Sequence, residues 1–189
     1  SLNTFMNAFT SNDWTAYPFA SQNRKDFFNL LDVYLDAVFF ARLDELDFLQ
    51  EGHRLEFSNP DDKNSPLEFK GVVFNEMKGA MSSIHSVLWQ TLCKHLFPST
   101  TYHFNSGGDP EYITDLSYEE LQQFYRKHYH PSNAIFMTYG DIPAAEHQQH
   151  FEAKALSHFS ASEHTISIPD EKRYKAPVRA QESYALDGA

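Results

Sequence analysis

Apolar residues recur at helical spacing over much of the chain. The clearest case follows Asn23, whose side chain can cap a helix that has Asp26 three residues further on. The apolar positions beyond it are three and four residues apart, which is the pattern of a helix with one apolar face. They are Phe27, Leu30, Leu31, Tyr34, Leu35 and Val38. This pattern predicts a helix that ends near Phe40.

Further helices are predicted in the second and third quarters of the chain and near its end. Residues 67–97 are helical by composition and are expected to form two helices, broken near residues 82–83 and ended by Pro98. Ser117 with Glu120 forms a capping box that opens a helix to about residue 128. Pro143 is well placed to start a helix that ends near residue 159.

Strand patterns are shorter. Residues 7–10 and 15–20 flank the turn-forming segment 11–14, which predicts a β-hairpin. Residues 133–139 have the composition of a buried strand, and a final strand is expected at 165–168. Between these elements, 41–66 is interpreted as a loop with a short helix or strand.

The irregular alternation of these elements predicts an α+β fold, with helices packed on one face of a mostly antiparallel sheet. We expect one domain over residues 1–168 and a charged, Pro-containing linker over 169–189. The first residues, 1–6, have the pattern of the middle of an element, so we expect the domain to be truncated on its N-terminal side.

The composition of the chain limits the kinds of partner that it can bind. The chain has 189 residues, 41% of them apolar, and a formal net charge of −11. The negative charge argues against nucleic acid as a partner, because phosphate binding needs a basic surface. It would suit a basic peptide, although an acidic surface that aids solubility is the more ordinary interpretation. No apolar run approaches the roughly 18 residues of a membrane span, so no membrane partner is expected.

The single cysteine, Cys93, excludes an internal disulfide framework and a zinc site made of several thiolates. It lies in an apolar helical stretch, so we expect a buried structural thiol. The compartment stays unknown: a soluble protein of the cytoplasm or an organelle matrix is favoured over a secreted one.

Two close histidine pairs could suggest a metal. His128 and His130 lie at a helix-to-strand turn, and His147 and His150 lie on a helix expected to be exposed and without a carboxylate partner. Neither pair has the glutamate arrangement of a catalytic zinc helix, so a structural role is favoured for both. The loop at Gly107 and Gly108 is likewise interpreted as a turn.

Glu76 is the carboxylate of most interest. On a helix, the three-and-four rule places it on one face with apolar or very small residues: Val72, Val73, Gly79 and Ala80. If that face is buried, the carboxylate needs a partner, a hydrogen bond or a metal. From the residues alone, a structural or half-exposed carboxylate is favoured over a metal ligand. The small residues would let another element approach closely.

Several segments of the chain have the character of long family motifs: Leu2–Thr10 with Asp13–Pro18, Asp32–Phe40, Gly71–Gly79, Ser106–Pro110 and His128–Ala134. These segments resemble zinc endopeptidases of the pitrilysin/insulinase family, in particular its presequence-protease branch. The likeness is good over about residues 1–142 and weak beyond, with one departure at Ala41, where this branch is expected to have Pro.

The resemblance implies a metal site that is completed outside this chain. In the family, an upstream helix with the inverted zincin motif His-x-x-Glu-His supplies two zinc ligands and the general base, and a glutamate on a later helix is the third ligand. Glu76 matches that third ligand. The base and both histidines would precede Ser1, so no catalytic residue is expected within this part of an N-terminal peptidase domain, and its Zn²⁺ site is incomplete.

The resemblance also implies a substrate-binding edge. Asn7, Ala8, Phe9 and Thr10 match the family's edge strand, to which an unfolded peptide adds as a further strand. An ordinary core hairpin is the alternative. Trp89 falls where the family lines its first specificity pocket, and a tryptophan in the core is equally compatible with its position.

The expected function is therefore a share in a zinc-dependent metalloendopeptidase that degrades unfolded peptides. The partners are the peptide and the remainder of the same polypeptide. In isolation we expect the chain to be inactive, to leave apolar surface uncovered, and to associate or be poorly stable. The alternative is a non-catalytic peptide-binding or scaffold homologue that kept the fold and lost zinc.

Overall fold

The computed structural model describes residues 5–163 and 166–184. Its strands are short and form three two-stranded sheets, in which β1 pairs with β4, β2 with β3 and β5 with β6. The strands are β1 (Phe5–Met6), β2 (Phe9–Thr10), β3 (Thr15–Ala16), β4 (Phe19–Ala20), β5 (Arg54–Phe57) and β6 (Leu67–Lys70).

The helices in the described residues lie mostly after these strands, joined by short 3₁₀ turns and one π-helical stretch at Phe48–Gly52. They are α1 (Arg24–Phe39), α2 (Glu45–Asp47), α3 (Val72–Ala80), α4 (Ile84–Leu96), α5 (Pro110–Ile113), α6 (Tyr118–His128) and α7 (Ala144–Lys154). The α+β class predicted from the sequence is confirmed.

The chain divides into two compact units. Within the described residues, unit 1 comprises 5–9, 15–43, 119–163 and 166–167, and unit 2 comprises 10–14, 44–118 and 168–184. Unit 1 holds the main apolar core. Its buried residues come from one face of α1 and from the end of α7: Leu31, Leu35, Phe39, Phe151 and Ala155.

Helix α1 forms as its capping pattern predicts, because the Asn23 side chain accepts a hydrogen bond from the Asp26 backbone N–H at 3.0 Å. Helix α7 differs from the expectation of an exposed helix. His147 is buried, and His150 Nε2 lies 2.6 Å from Asp32 Oδ1 on α1. The reason is packing: the Phe28 ring on α1 contacts both imidazoles, at centroid distances of 6.3 and 5.0 Å.

The expected helix over residues 67–71 is wrong, since Leu67–Lys70 forms strand β6. Its apolar and polar residues alternate with period two, and Phe69 pairs with Leu55 in an antiparallel register. The pairing is reinforced by Glu56, whose pKa is lowered by its hydrogen bonds to Arg54 and Lys70. The break between α3 and α4 falls where predicted.

The expected buried strand at 133–139 is also wrong. Ile135, Met137 and Tyr139 are 96%, 90% and 100% exposed, and only Phe136 turns inward, onto Phe39 and Phe151. A strand needs a hydrogen-bonding neighbour, and none pairs with this segment in the part of the chain that the structure describes.

The described part of the C-terminal segment, for which a linker stays a prediction, makes contacts with helix α4 and the residues that follow it. In unit 2, Glu171 accepts hydrogen bonds from the backbone N–H and the hydroxyl of Ser99, and the Tyr174 hydroxyl donates to the His95 carbonyl at 2.6 Å. The strand expected at 165–168 falls partly outside the described residues, and 166–168 is not a strand. The domain boundary at 168 stays a prediction.

Unit 2 buries few apolar side chains. Cys93 is buried on α4, as expected of a structural thiol, and Ile113 is buried on α5. Gly108 has φ of +95°, a conformation that favours glycine, so the predicted turn is confirmed. Among the described residues, no helix combines the length and apolar character that crossing a membrane requires.

A close backbone approach fixes the start of α3. A Cβ added to Gly71 would overlap the Gly52 carbonyl, lying 2.7 Å from its carbon and 2.9 Å from His53 Cα. Backbone atoms cannot move aside as a flexible side chain can. Strand β6 can therefore pass into α3 at this point only with glycine.

We expect Gly71→Ala to lower the free energy of unfolding by about 2–3 kcal/mol, measured by urea denaturation of this chain. Gly79→Ala is the matched control, because a Cβ there meets nothing within 4 Å and helix propensity favours alanine by about 1 kcal/mol. Equal shifts for the two variants would contradict the close approach.

Candidate metal ligand and substrate-binding edge

Glu76 lies on helix α3, and the helix has two distinct faces. Phe74, Met77 and Met81 face other residues of unit 2, to which α3 belongs. The Phe74 ring lies 6.2 Å from Phe69, and the Met81 sulfur accepts a hydrogen bond from Asn105. The opposite face carries Glu76. Its neighbours on that face are those predicted from the sequence: Val72, Val73, Gly79 and Ala80.

The face that carries Glu76 is open, so within the described residues the carboxylate does not lie on a buried apolar stripe. Glu76 and its four neighbours on that face are all exposed, and a Cβ placed on Gly79 would meet no atom within 4 Å. No element of the described chain covers this face. The carboxylate is thus more exposed than the half-exposed position considered from the sequence. What remains is a carboxylate at the centre of an exposed surface of apolar and small residues.

A carboxylate oxygen is an ordinary zinc ligand, and small flanking residues allow another chain segment to approach it. Glu76 therefore fits one position of a zinc site. It does not fit a complete site, because one carboxylate leaves the other protein ligands to be supplied. Over the described residues, no group of three or more His, Cys, Asp or Glu side chains is arranged to hold a metal.

Trp89 lies on α4, and its side chain is 68% exposed, so the interpretation of a core tryptophan is wrong. Helix α4 turns its polar and small residues inward: Gln90 is buried and donates to the His103 carbonyl at 2.9 Å. Its outer face carries large apolar side chains, namely Ile84, Leu88, Trp89, Leu92 and Leu96. The uncovered apolar surface expected from the sequence is present on this helix.

Residues 7–10 form one arm of the predicted hairpin. The Asn7 backbone N–H donates to the Pro18 carbonyl at 3.1 Å, and the Ser11 N–H donates to the Trp14 carbonyl at 2.8 Å. In an antiparallel pair, residues alternate between facing the partner strand and facing away. Asn7 faces the partner, so the backbone N–H and C=O of Ala8 and Thr10 face away from it.

The outward side of this arm has no partner strand among the described residues, because each described sheet contains only two strands. Asn7, Ala8, Phe9 and Thr10 are all exposed. The outward N–H of Ala8 donates to the side-chain Oδ1 of Asn7 at 2.8 Å. The hairpin thus has a backbone edge to which another strand can add.

Tyrosine side chains hold the other arm of the hairpin in unit 1. The Tyr17 and Tyr129 hydroxyl oxygens are 2.6 Å apart, and burial followed by this hydrogen bond raises the pKa of Tyr17. Tyr34 on α1 approaches the hairpin carbonyls of Asn7 and Pro18. Pro18 is the feature of the sequence that could have indicated this role. It lacks a backbone N–H, so the backbone carbonyl of the residue opposite it receives no hydrogen bond from position 18.

Comparison with known proteins shows what the whole chain is similar to. The sequence profile of one family, described as "Peptidase M16 inactive domain", matches residues 115–185. The chain is 55% identical over 177 residues to "Presequence protease, mitochondrial" of Xenopus tropicalis, covering 94% of this chain and 17% of that protein. For the protein of the same name in Xenopus laevis the identity is 53% over 187 residues, 99% of this chain and 18% of that protein.

A protein of the same name in Schizosaccharomyces pombe is 57% identical over 143 residues, which is 76% of this chain and 14% of that protein. The chain thus spans less than a fifth of the length of these relatives. The α+β fold and the match to the M16 profile indicate that the chain belongs to a family of peptidases. The chain belongs to the pitrilysin/insulinase family and is presequence-protease-like, as the resemblance implied.

Proposed function

We propose that this chain is part of a zinc-dependent metalloendopeptidase that degrades unfolded peptides, to which it contributes the third zinc ligand and a strand edge for the substrate. The observation that carries the proposal is the 53% identity to a presequence protease over 99% of the chain, a span that includes Glu76 and almost all of the hairpin. The other two zinc ligands and the general base are proposed to lie elsewhere in the same polypeptide.

Glu76 has the geometry of a ligand offered to a separate element. It projects from helix α3, and its flanks are apolar or small, so an approaching helix would bury the carboxylate among residues that cannot compete for the metal. The chemistry that zinc supplies in such a site is a polarised scissile carbonyl and a bound water with a lowered pKa. The role of this chain's residue is to hold one position of that ligand set.

The outward groups of Ala8 and Thr10 would bind the backbone of an extended peptide. Main-chain hydrogen bonds do not depend on the side chains of the substrate, which suits an enzyme that cleaves many unrelated unfolded peptides. The net charge of −11 is compatible with basic peptides. The relatives are called presequence proteases and mitochondrial. We therefore propose targeting presequences as a substrate class and the mitochondrial matrix as the compartment.

A non-catalytic relative is the second candidate. The observation in its favour is that the family profile matching residues 115–185 is described as an inactive domain, although Glu76 lies outside that match. An intact His-x-x-Glu-His motif upstream of Ser1 in the full-length protein distinguishes the enzyme from a scaffold that lacks zinc.

If the other zinc ligands lie outside this chain, the isolated chain should not bind zinc tightly. We expect isothermal titration of the 189-residue chain with zinc to show no micromolar binding that depends on Glu76, because one carboxylate cannot hold catalytic zinc. The chain with Glu76→Gln should give the same heats. Tight binding that is lost in that variant would show that the site is complete within this chain.

A further inference from the structure

The hairpin contains a rung that cannot be completed by its own backbone. Asn7 and Pro18 face each other, and the Asn7 N–H donates to the Pro18 carbonyl at 3.1 Å. The return bond would run from the residue at 18 to the Asn7 carbonyl. Proline has no N–H, so the Asn7 carbonyl receives nothing from the opposite strand.

Tyr34 compensates for this missing donor. Its hydroxyl oxygen lies 3.3 Å from the Asn7 carbonyl oxygen and 3.4 Å from the Pro18 carbonyl oxygen, so it spans the incomplete rung. The Tyr34 ring also packs on Phe19 of β4, with 5.0 Å between centroids. The hydroxyl is therefore held in place beside residue 7.

The support behind Tyr34 is rigid. Tyr34 lies on α1 next to Leu35, and Leu31 and Leu35 are both in the buried core of unit 1. Phe19, on which the Tyr34 ring packs, lies 5.1 Å from Phe27 of the same helix. The position of the Asn7 carbonyl is thus fixed by the best-packed helix of unit 1 as well as by the hairpin.

We propose that Tyr34 is a positioning residue for substrate binding: it fixes the Asn7 peptide group and so sets the direction of the outward N–H and C=O of Ala8. This inference rests on the proposed function, since it assumes that a peptide adds at this edge. A strand that adds to an edge needs donors and acceptors in register, and Asn7 directly precedes the first outward residue of the arm.

The test uses the full-length protein that contains this chain. Tyr34→Phe keeps the ring packing and removes only the hydroxyl. We expect KM for an unfolded peptide to rise about three- to tenfold, the worth of one hydrogen bond, with kcat within about twofold of the wild type. Tyr112→Phe is the matched control, because Tyr112 is exposed and its hydroxyl has no hydrogen bond among the described residues. It should leave both constants unchanged.

A second substitution distinguishes positioning from a general loss of stability. Pro18→Ala restores a backbone N–H opposite the Asn7 carbonyl, so the double variant Tyr34→Phe with Pro18→Ala should recover most of the lost affinity. An unchanged KM in Tyr34→Phe, or a raised KM that Pro18→Ala does not lower, would overturn the role of Tyr34. If the wild-type protein cleaves no peptide at all, the proposed function fails instead.

Discussion

Replacing Glu76 by Gln in the full-length protein is expected to abolish zinc retention and to lower peptide cleavage by at least about 10³-fold. A neutral amide is a much poorer zinc ligand than a carboxylate. The metal contributes several kcal/mol to the transition state, and each 1.4 kcal/mol corresponds to about tenfold in rate. Metal content by atomic absorption and kcat/KM on an unfolded peptide measure the two effects.

In this structure, Glu76→Gln should remove the metal ligand without disturbing the fold. Glu76 is exposed on α3 and forms no hydrogen bond or ion pair within the described residues, so the amide should leave the fold of unit 2 intact. Glu119→Gln, at an exposed position in the first turn of α6, is the matched control and should retain both zinc and activity. Full activity with normal zinc content in Glu76→Gln would remove Glu76 from the site.

Replacing Ala8 by Pro should raise KM by roughly 30- to 150-fold with a smaller effect on kcat. Proline removes the outward N–H and places its ring where the added strand must approach, for a combined cost of about 2–3 kcal/mol. Because the Asn7 N–H faces Pro18, the Ala8 N–H is not part of a hairpin rung. The hairpin should therefore survive the substitution.

Ala8→Ser is the matched control, since serine keeps the backbone N–H at an exposed position and should leave KM near the wild-type value. Steady-state kinetics with one peptide, together with circular dichroism to compare the folds, separate binding from stability. Unchanged peptide kinetics in Ala8→Pro would mean that substrates do not add to this edge.

Local signals made much of the fold predictable. The cap at Asn23 and the apolar spacing beyond it place α1 within about a residue of its observed ends. The turn residues 11–14 place the hairpin, whose Ser11 N–H bonds to Trp14 as expected. These elements succeed because their determinants lie within a few residues in the sequence.

The errors occur where the partner of a segment is distant or outside the described chain. Leu67–Lys70 is a strand because it pairs with Arg54–Phe57. The residues that follow it have a helical pattern, and extending that helix back to Leu67 hid the strand. Residues 133–139 have strand composition, yet no strand pairs with them in the described chain. His147 appears polar and exposed in sequence, but α7 packs it against Phe27 and Phe28.

The residues that share a helix face with Glu76 could be predicted from the sequence, whereas their exposure could not. The face of α3 around Glu76 has the composition that the three-and-four rule assigned to it, and its exposure depends on what lies against it, which no local pattern encodes. The edge of the hairpin was predictable as well. The role of Tyr34 was not, because it depends on the contact of α1 with the rung at Asn7.

Zinc anomalous scattering from crystals of the full-length protein tests the central claim most directly. The account predicts a single strong peak at about 2.0–2.2 Å from a Glu76 carboxylate oxygen, with two histidine nitrogens completing the protein ligands. A zinc peak elsewhere, with the Glu76 side chain still facing solvent, would contradict it.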